Sequence, residues 1–187
     1  MPDSAAELGD YLRAQIRLVS GESLYGIVDA ARDMELAFEA KCLYKQEIQT
    51  LFEGKVASAL ADVAPYLIMI HPNGGYLKNW ARHWGNSAGI LFTTSADAHD
   101  LYAHLRHIFI VEDEQNQPYF FRFYDPRVLR TFLPTCTLQQ LDEFFGPVRT
   151  WICETTEENG CIVYARGAQG QLEQKLVALQ SVKTVTQ

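Results

Sequence analysis

At 187 residues the chain is long enough for one well-buried core and short for two independent ones, and its 48% hydrophobic and 21% charged content excludes a disordered acidic segment. A formal net charge of -7 without a basic run excludes a nonspecific nucleic-acid binder, which needs a cationic stripe to displace counterions from phosphates. No apolar run reaches membrane-spanning length and Met1–Glu7 lacks the charged-then-apolar signal pattern, so neither membrane nor nucleic acid is an expected partner and the cytoplasm is the expected location.

Ser4 and Glu7 have capping-box spacing, and Leu8, Leu12, Ile16 and Val19 recur at helical intervals, which predicts an amphipathic helix over residues 4–19. Leu24–Asp29 reads as a short strand after Gly21, and either Asp29 or Asp33 starts a helix through Leu36, Ala40 and Leu43. Ile48–Phe52 reads as a brief strand, whereas Val56–Leu60 is too short to assign. The continuous apolar run Pro65–Ile70 predicts a buried strand before the His71–Gly75 loop. Leu77, Trp80, Ala81 and Trp84 share a helical face that Gly85 closes, and Ala88–Thr94 follows as a strand. Thr94 or Ser95 then caps a helix with Ala98, Leu101, Leu105 and Ile108 as its buried stripe.

Phe109–Val111 and Tyr119–Tyr124, joined by the polar connection Glu112–Pro118, predict an antiparallel hairpin, and the aromatic run Tyr119–Tyr124 is expected to be a central strand covered on both faces. It ends at Asp125-Pro126, where a carboxylate accepts amide hydrogens of a starting helix and proline presets the first helical φ. A short helix through Val128, Leu129, Phe132 and Leu133 ends at Pro134, and Thr137 caps the next, which carries Leu138, Leu141 and Phe145 and stops at Gly146-Pro147. Trp151–Cys153 and Cys161–Tyr164 read as a late hairpin turning at Glu158–Gly160, Leu172, Leu176 and Leu179 as a final helix, and Ser181–Gln187 as a mobile end. The sum is an α/β protein: a mixed β-sheet with flanking helices in one domain over residues 1–150, then a C-terminal hairpin and helix over 151–187 packed on it.

The corner at Asp125 has two readings, a ligand-binding strand end and a plain helix cap with Arg122 as its electrostatic partner. Trp80 and Trp84 likewise read either as core or as an exposed recognition pair. The four cysteines form no C-x-x-C pair, and pairing about an Asn159-Gly160 turn does not set Cys153 opposite Cys161, so reduced structural thiols are expected. His104 and Asp100 have metal-pair spacing without a third ligand, so neither a metal nor a cofactor is expected. No nucleophile elbow, phosphate loop or metalloprotease motif is present; Ser87 precedes a strand, where a nucleophile elbow follows one.

Six blocks, Leu24–Arg32, Leu51–Gly54, Val63–Leu67, Trp84–Ile90, Leu105-Arg106 and above all Phe121–Leu129, resemble in order and spacing the type VI secretion effector-adaptor family, also described as effector chaperones and as domain-of-unknown-function family 4123. The resemblance covers residues 24 to 147. It implies a cytoplasmic, non-catalytic protein that holds a toxic effector and helps load it on the VgrG spike. An acidic, aromatic-rich domain without an assembled catalytic constellation is what a protein-binding module should look like. The expected partner-binding residues are Arg122, Tyr124, Asp125 and Arg127, clamping a partner segment by charge-assisted hydrogen bonds, with Trp80 and Trp84 as aromatic candidates. The rival readings are an immunity-type protein that blocks a toxin's active site and a small α/β enzyme, which requires titratable groups converging in a concave pocket.

Overall fold

The computed structural model describes residues 18–44, 47–71, 73–155 and 160–178. Those residues form nine strands and six α-helices. In chain order they run β1 (Ser23–Asp29), α1 (Met34–Leu43), β2 (Ile48–Thr50), α2 (Gly54–Ala59), β3 (Pro65–Ile70), α3 (Tyr76–Arg82), β4 (Gly89–Thr94), α4 (Ala98–Phe109), β5 (Ile110–Glu112), β6 (Pro118–Phe120), α5 (Pro126–Phe132), α6 (Leu138–Phe145), β7 (Val148–Glu154), β8 (Gly160–Arg166) and β9 (Leu172–Ala178). A single turn of 3-10 helix, Leu133–Thr135, joins α5 to the loop before α6.

Seven strands make one sheet in the order β2-β3-β1-β4-β7-β8-β9, and β5 and β6 form a separate two-stranded ribbon. The α/β class stands as expected, but every pairing is antiparallel, where a mixed sheet was expected. Chain segments cover both faces of this sheet, so the inner strands are apolar on both sides. One face carries the row Tyr25, Phe92, Trp151 and Tyr164, aligned by register across β1, β4, β7 and β8. Phe123, Phe144 and Phe145 pack onto Trp151 there, with ring centroids 5.8, 5.2 and 6.5 Å away. The opposite face carries Gly26, against which Trp80 of α3 lies; a Cβ at position 26 would stand 2.5 Å from the indole. Gly26 is therefore small because a tryptophan needs the space.

Several boundaries follow the chemistry of the sequence closely. Asp33, not Asp29, caps α1 by accepting from the Leu36 amide at 3.0 Å. Asp97 caps α4 in the same way, displacing the expected Thr94 or Ser95; the Thr94 hydroxyl instead donates to the Pro147 carbonyl at 2.8 Å. Thr137 and Gln140 complete a reciprocal capping box on α6. Gly146 ends α6 at a positive φ of 46° beneath the His104 ring, a place that no Cβ could share.

Two further expectations are overturned. Tyr119–Tyr124 is no central strand: β6 is three exposed residues in the outlying ribbon, and from Phe121 the chain turns inward, with the Phe123 amide donating to the Phe121 carbonyl at 2.9 Å. Phe123 and Tyr124 are both buried although adjacent because the turns at Phe121–Phe123 and Arg122–Asp125 carry the chain into the core, where both rings are covered without any strand pairing. The segment from Leu172 is not a helix but β9, paired with β8 along its whole length. Its start is set by the turn Gly167–Gly170, where Gly170 has a φ of 83° and the Gly167 amide bonds the Gln171 carbonyl at 2.8 Å. The helix expected over residues 4–19 lies outside the described residues except for its last two, as do Leu179, the Glu158–Asn159 part of the late turn and the 181–187 end.

Candidate functional site

The charged corner is built from two chain segments that meet at one edge of the sheet. β1 ends on Asp29, which is fully buried and points to the face covered by Phe123, opposite to the Trp80 face, because 26 and 29 differ by an odd number of strand positions. After the β5–β6 ribbon, Phe123 and Tyr124 anchor the chain in the core and leave Arg122 facing outward above Asp29. The Asp125 amide then donates to the Arg122 carbonyl at 3.0 Å, a turn that delivers the Asp125 carboxylate to the start of α5.

Four ionic side chains interlock there. Arg122 donates through Nη2 to Asp29 and lies 3.9 Å from Asp125. Asp125 accepts the Arg127 amide at 3.0 Å and both Nε and Nη2 of the same residue, at 2.9 and 2.6 Å. The Arg127 fork therefore folds back on the carboxylate that caps its own helix. The Arg122 guanidinium also covers the Tyr124 ring, 5.8 Å from its centroid. Both carboxylates are buried, while the side chains of Arg122 and Arg127 remain 44% and 51% exposed. The acids are structural anchors, and the cations face the solvent.

The two acids titrate in opposite directions. Burial raises the Asp29 carboxyl above its ordinary value, and the charge and hydrogen bond of Arg122 offset this only in part. Burial also pushes Asp125 upward, but the hydrogen bonds from the Arg127 side chain and amide, with the charges of both arginines, outweigh it and hold Asp125 below its ordinary value. Tyr124 is pushed up to about 12, first by burial and then by the Asp29 charge, so its hydroxyl stays protonated.

Next to the corner the surface turns apolar. Asp125, Arg127, Val128, Thr131, Phe132 and Thr135 line a shallow depression, and Phe132 continues from it into a second groove floored by Phe121 and Phe144. The helix that carries Arg127 at its start thus carries the shared aromatic at its end.

Of the residues read from the sequence, Arg122, Tyr124, Asp125 and Arg127 come together and Trp80 and Trp84 do not join them. Trp80 is 1% exposed in the core on the other face of the sheet. Trp84 is half-buried just beyond α3, and its indole N–H donates to the Gly160 carbonyl at 2.9 Å. Sequence reading did not place Asp29 at the corner; its signal was an acid ending an apolar strand that offers it no solvent. Nor did it find Glu154, buried at the end of β7, which accepts the Gly85 amide at 2.7 Å and the Ser87 amide and hydroxyl at 2.9 and 3.1 Å. Ser87, at a φ of 56°, is thereby engaged in turn chemistry.

Other reactive groups are spent locally. His104 bonds the Phe144 carbonyl at 3.1 Å and burial lowers its pKa, while His107 faces Glu143 at 3.4 Å. Cys153 and Cys161 are free thiols that burial pushes up to about 12 and about 11. Among the described residues no group of three or more His, Cys, Asp or Glu side chains is placed to hold a metal ion, and no helix is long and apolar enough to cross a membrane.

A helix-flanked antiparallel sheet with a self-neutralised arginine corner and an adjoining apolar surface defines an α/β domain built around residues 24–29 and 121–129. The model of the family described as Domain of unknown function (DUF4123) matches residues 24–143, and the chain belongs to that family. Neither a curated protein nor a solved structure matches.

Proposed function

We propose that this chain is a non-catalytic adaptor of type VI secretion, which binds a toxic effector in the cytoplasm and promotes its loading on the VgrG spike. Membership of the family, which is associated with such adaptors, is the observation that carries this reading. The geometry supports it in kind. The Phe121–Leu129 block builds a corner whose solvent-facing groups are two arginines beside a depression lined in part by Val128 and Phe132. Arginine forks beside an apolar recess with an aromatic side chain in its wall are a pattern on which protein interfaces concentrate their affinity.

The reading predicts that a toxin and a spike protein are encoded beside this chain's gene, and it is tested with those two proteins. Purified chain is expected to capture both, and its deletion to abolish delivery of that toxin while leaving the toxin's own activity intact. Arg127→Ala, which leaves the Asp125 cap bond to the backbone in place, is expected to weaken toxin capture about tenfold, the loss of one charge-assisted contact. Unchanged capture by a folded Arg127→Ala and Arg122→Ala pair would confine the corner to a structural role. Delivery that persists without the chain would sink the adaptor reading itself.

A further inference from the structure

The end of α4, the β5–β6 ribbon, α5 and α6 enclose an open groove of about 500 Å³ whose apolar lining is Ile108, Ile110, Val111, Phe121, Phe132 and Phe144. Its floor is fixed by the core: Phe121 meets Phe132 edge to face at 4.8 Å, and Phe132 lies 5.4 Å from Phe144, which in turn packs on Trp151. Its wall is not covered. Ile110 and Val111 are 38% and 41% exposed on a ribbon whose every residue is exposed. Apolar side chains gathered around a recess in this way mark a place where another surface docks.

The rim specifies the chemistry of that surface. Glu112 stands on the ribbon side and Glu143 on the α6 side, and Glu112 leads directly into Asp113 and Glu114 of the ribbon loop. The cation-capable group of the rim, His107, already faces Glu143. An apolar trough bordered by carboxylates complements an apolar ridge bordered by cations, and the chain's net charge of -7 adds attraction of the same sign.

We infer that this groove receives an amphipathic helix of the partner, with Leu-like side chains at i, i+3, i+4 and i+7 in the trough and Lys or Arg reaching Glu112 and Glu143. The inference rests on the adaptor reading and names the chemistry of the segment the adaptor holds. It places the grip on a different surface from the arginine corner, with Phe132 the residue the two share.

The probe is a fluorescein-labelled peptide of Leu and Lys with Leu at helical spacing, and its control is the same peptide with Glu in place of Lys. Anisotropy titrations are expected to show the Leu/Lys peptide bound and the Leu/Glu peptide not, with the bound peptide gaining helical circular dichroism. Ile110→Asp, an exposed position whose change spares the core, is expected to weaken binding by at least about tenfold. The pair Glu112→Lys with Glu143→Lys is expected to do the same. The pair Glu35→Lys with Glu173→Lys, on α1 and β9, alters net charge equally and is expected to leave binding within about twofold.

Equal weakening by the two charge-reversed pairs would reduce the effect to general attraction and overturn the proposal. So would binding that ignores Ile110→Asp, peptide that binds without becoming helical, or a groove variant that changes only self-association or adhesion to anionic vesicles. Capture of purified toxin and spike separates this failure from that of the adaptor reading. A chain that captures both while its groove variants still bind the peptide loses the groove alone. A chain that binds the peptide through the groove but captures neither loses the adaptor reading alone.

Discussion

Asp125 holds the corner with one carboxylate: it caps α5, takes both arms of the Arg127 fork and sits within 3.9 Å of Arg122. Asp125→Ala removes the cap and is expected to lower stability by about 1–2 kcal/mol in urea unfolding. Its folded pKa is depressed, so the unfolded chain takes up the proton first as pH falls. That stabilisation is complete above the unfolded value of about 3.9 and is lost as pH drops through the lower folded value. Asp29 has the opposite sign, since its folded pKa is raised and the native chain takes up the proton first. Acidification from its folded value down to the unfolded one therefore favours the native state. Relative to wild type, the urea midpoint of Asp125→Asn should fall less steeply below about pH 3.9. The midpoint of Asp29→Asn should lack the gain just above that pH. Profiles that superimpose with wild type for both variants would show that neither carboxyl is perturbed.

Elements outside the family match brace elements inside it. Glu154 of β7 ties down the Gly85–Ser87 turn, the Gly160 carbonyl at the start of β8 receives the Trp84 indole, and Arg130 of α5 donates to the Glu154 carbonyl at 2.6 Å. Glu154→Ala strands the amides of Gly85 and Ser87 and the Ser87 hydroxyl, and is expected to cost about 2–3 kcal/mol, read as a shift in urea midpoint. Glu154→Gln keeps one acceptor oxygen and should cost less; equal, negligible losses for both would mean that water replaces the carboxylate. Local signals for these elements varied in strength. The cap at Thr137, whose side chain bonds its own helix, and the break at Gly146, whose positive φ ends it, were legible, whereas the Asp97 cap was read two or three positions early. β9 was not, because Leu172 and Leu176 imitate a helical repeat, and the glycine at 83° that starts the strand is decisive only once β8 offers an open edge.

At the scale of the molecule, the sheet does not end where the family match ends. β7 pairs with the middle strand β4, and Trp151 fills the space among Phe92, Phe123, Phe144 and Phe145. A chain cut after Pro147 would open β4 as an apolar edge and leave that space empty. It is expected to aggregate and to lack a cooperative thermal transition by circular dichroism. A soluble, cooperatively melting fragment would show that residues 148–178 are an accessory layer.

What the residues determined unaided is what depends on neighbours along the chain: most element positions, the Asp125-Pro126 start of α5 and the four residues of the corner that lie within six positions of one another. Only the tertiary structure decided that Tyr119–Tyr124 leaves the sheet, that Asp29 closes the arginine network from 93 residues away and that Trp80 is core. The reason is physical. Capping and turn bonds are made by a residue with its own backbone, whereas aromatic burial and buried ion pairs exist only when distant segments exclude water together.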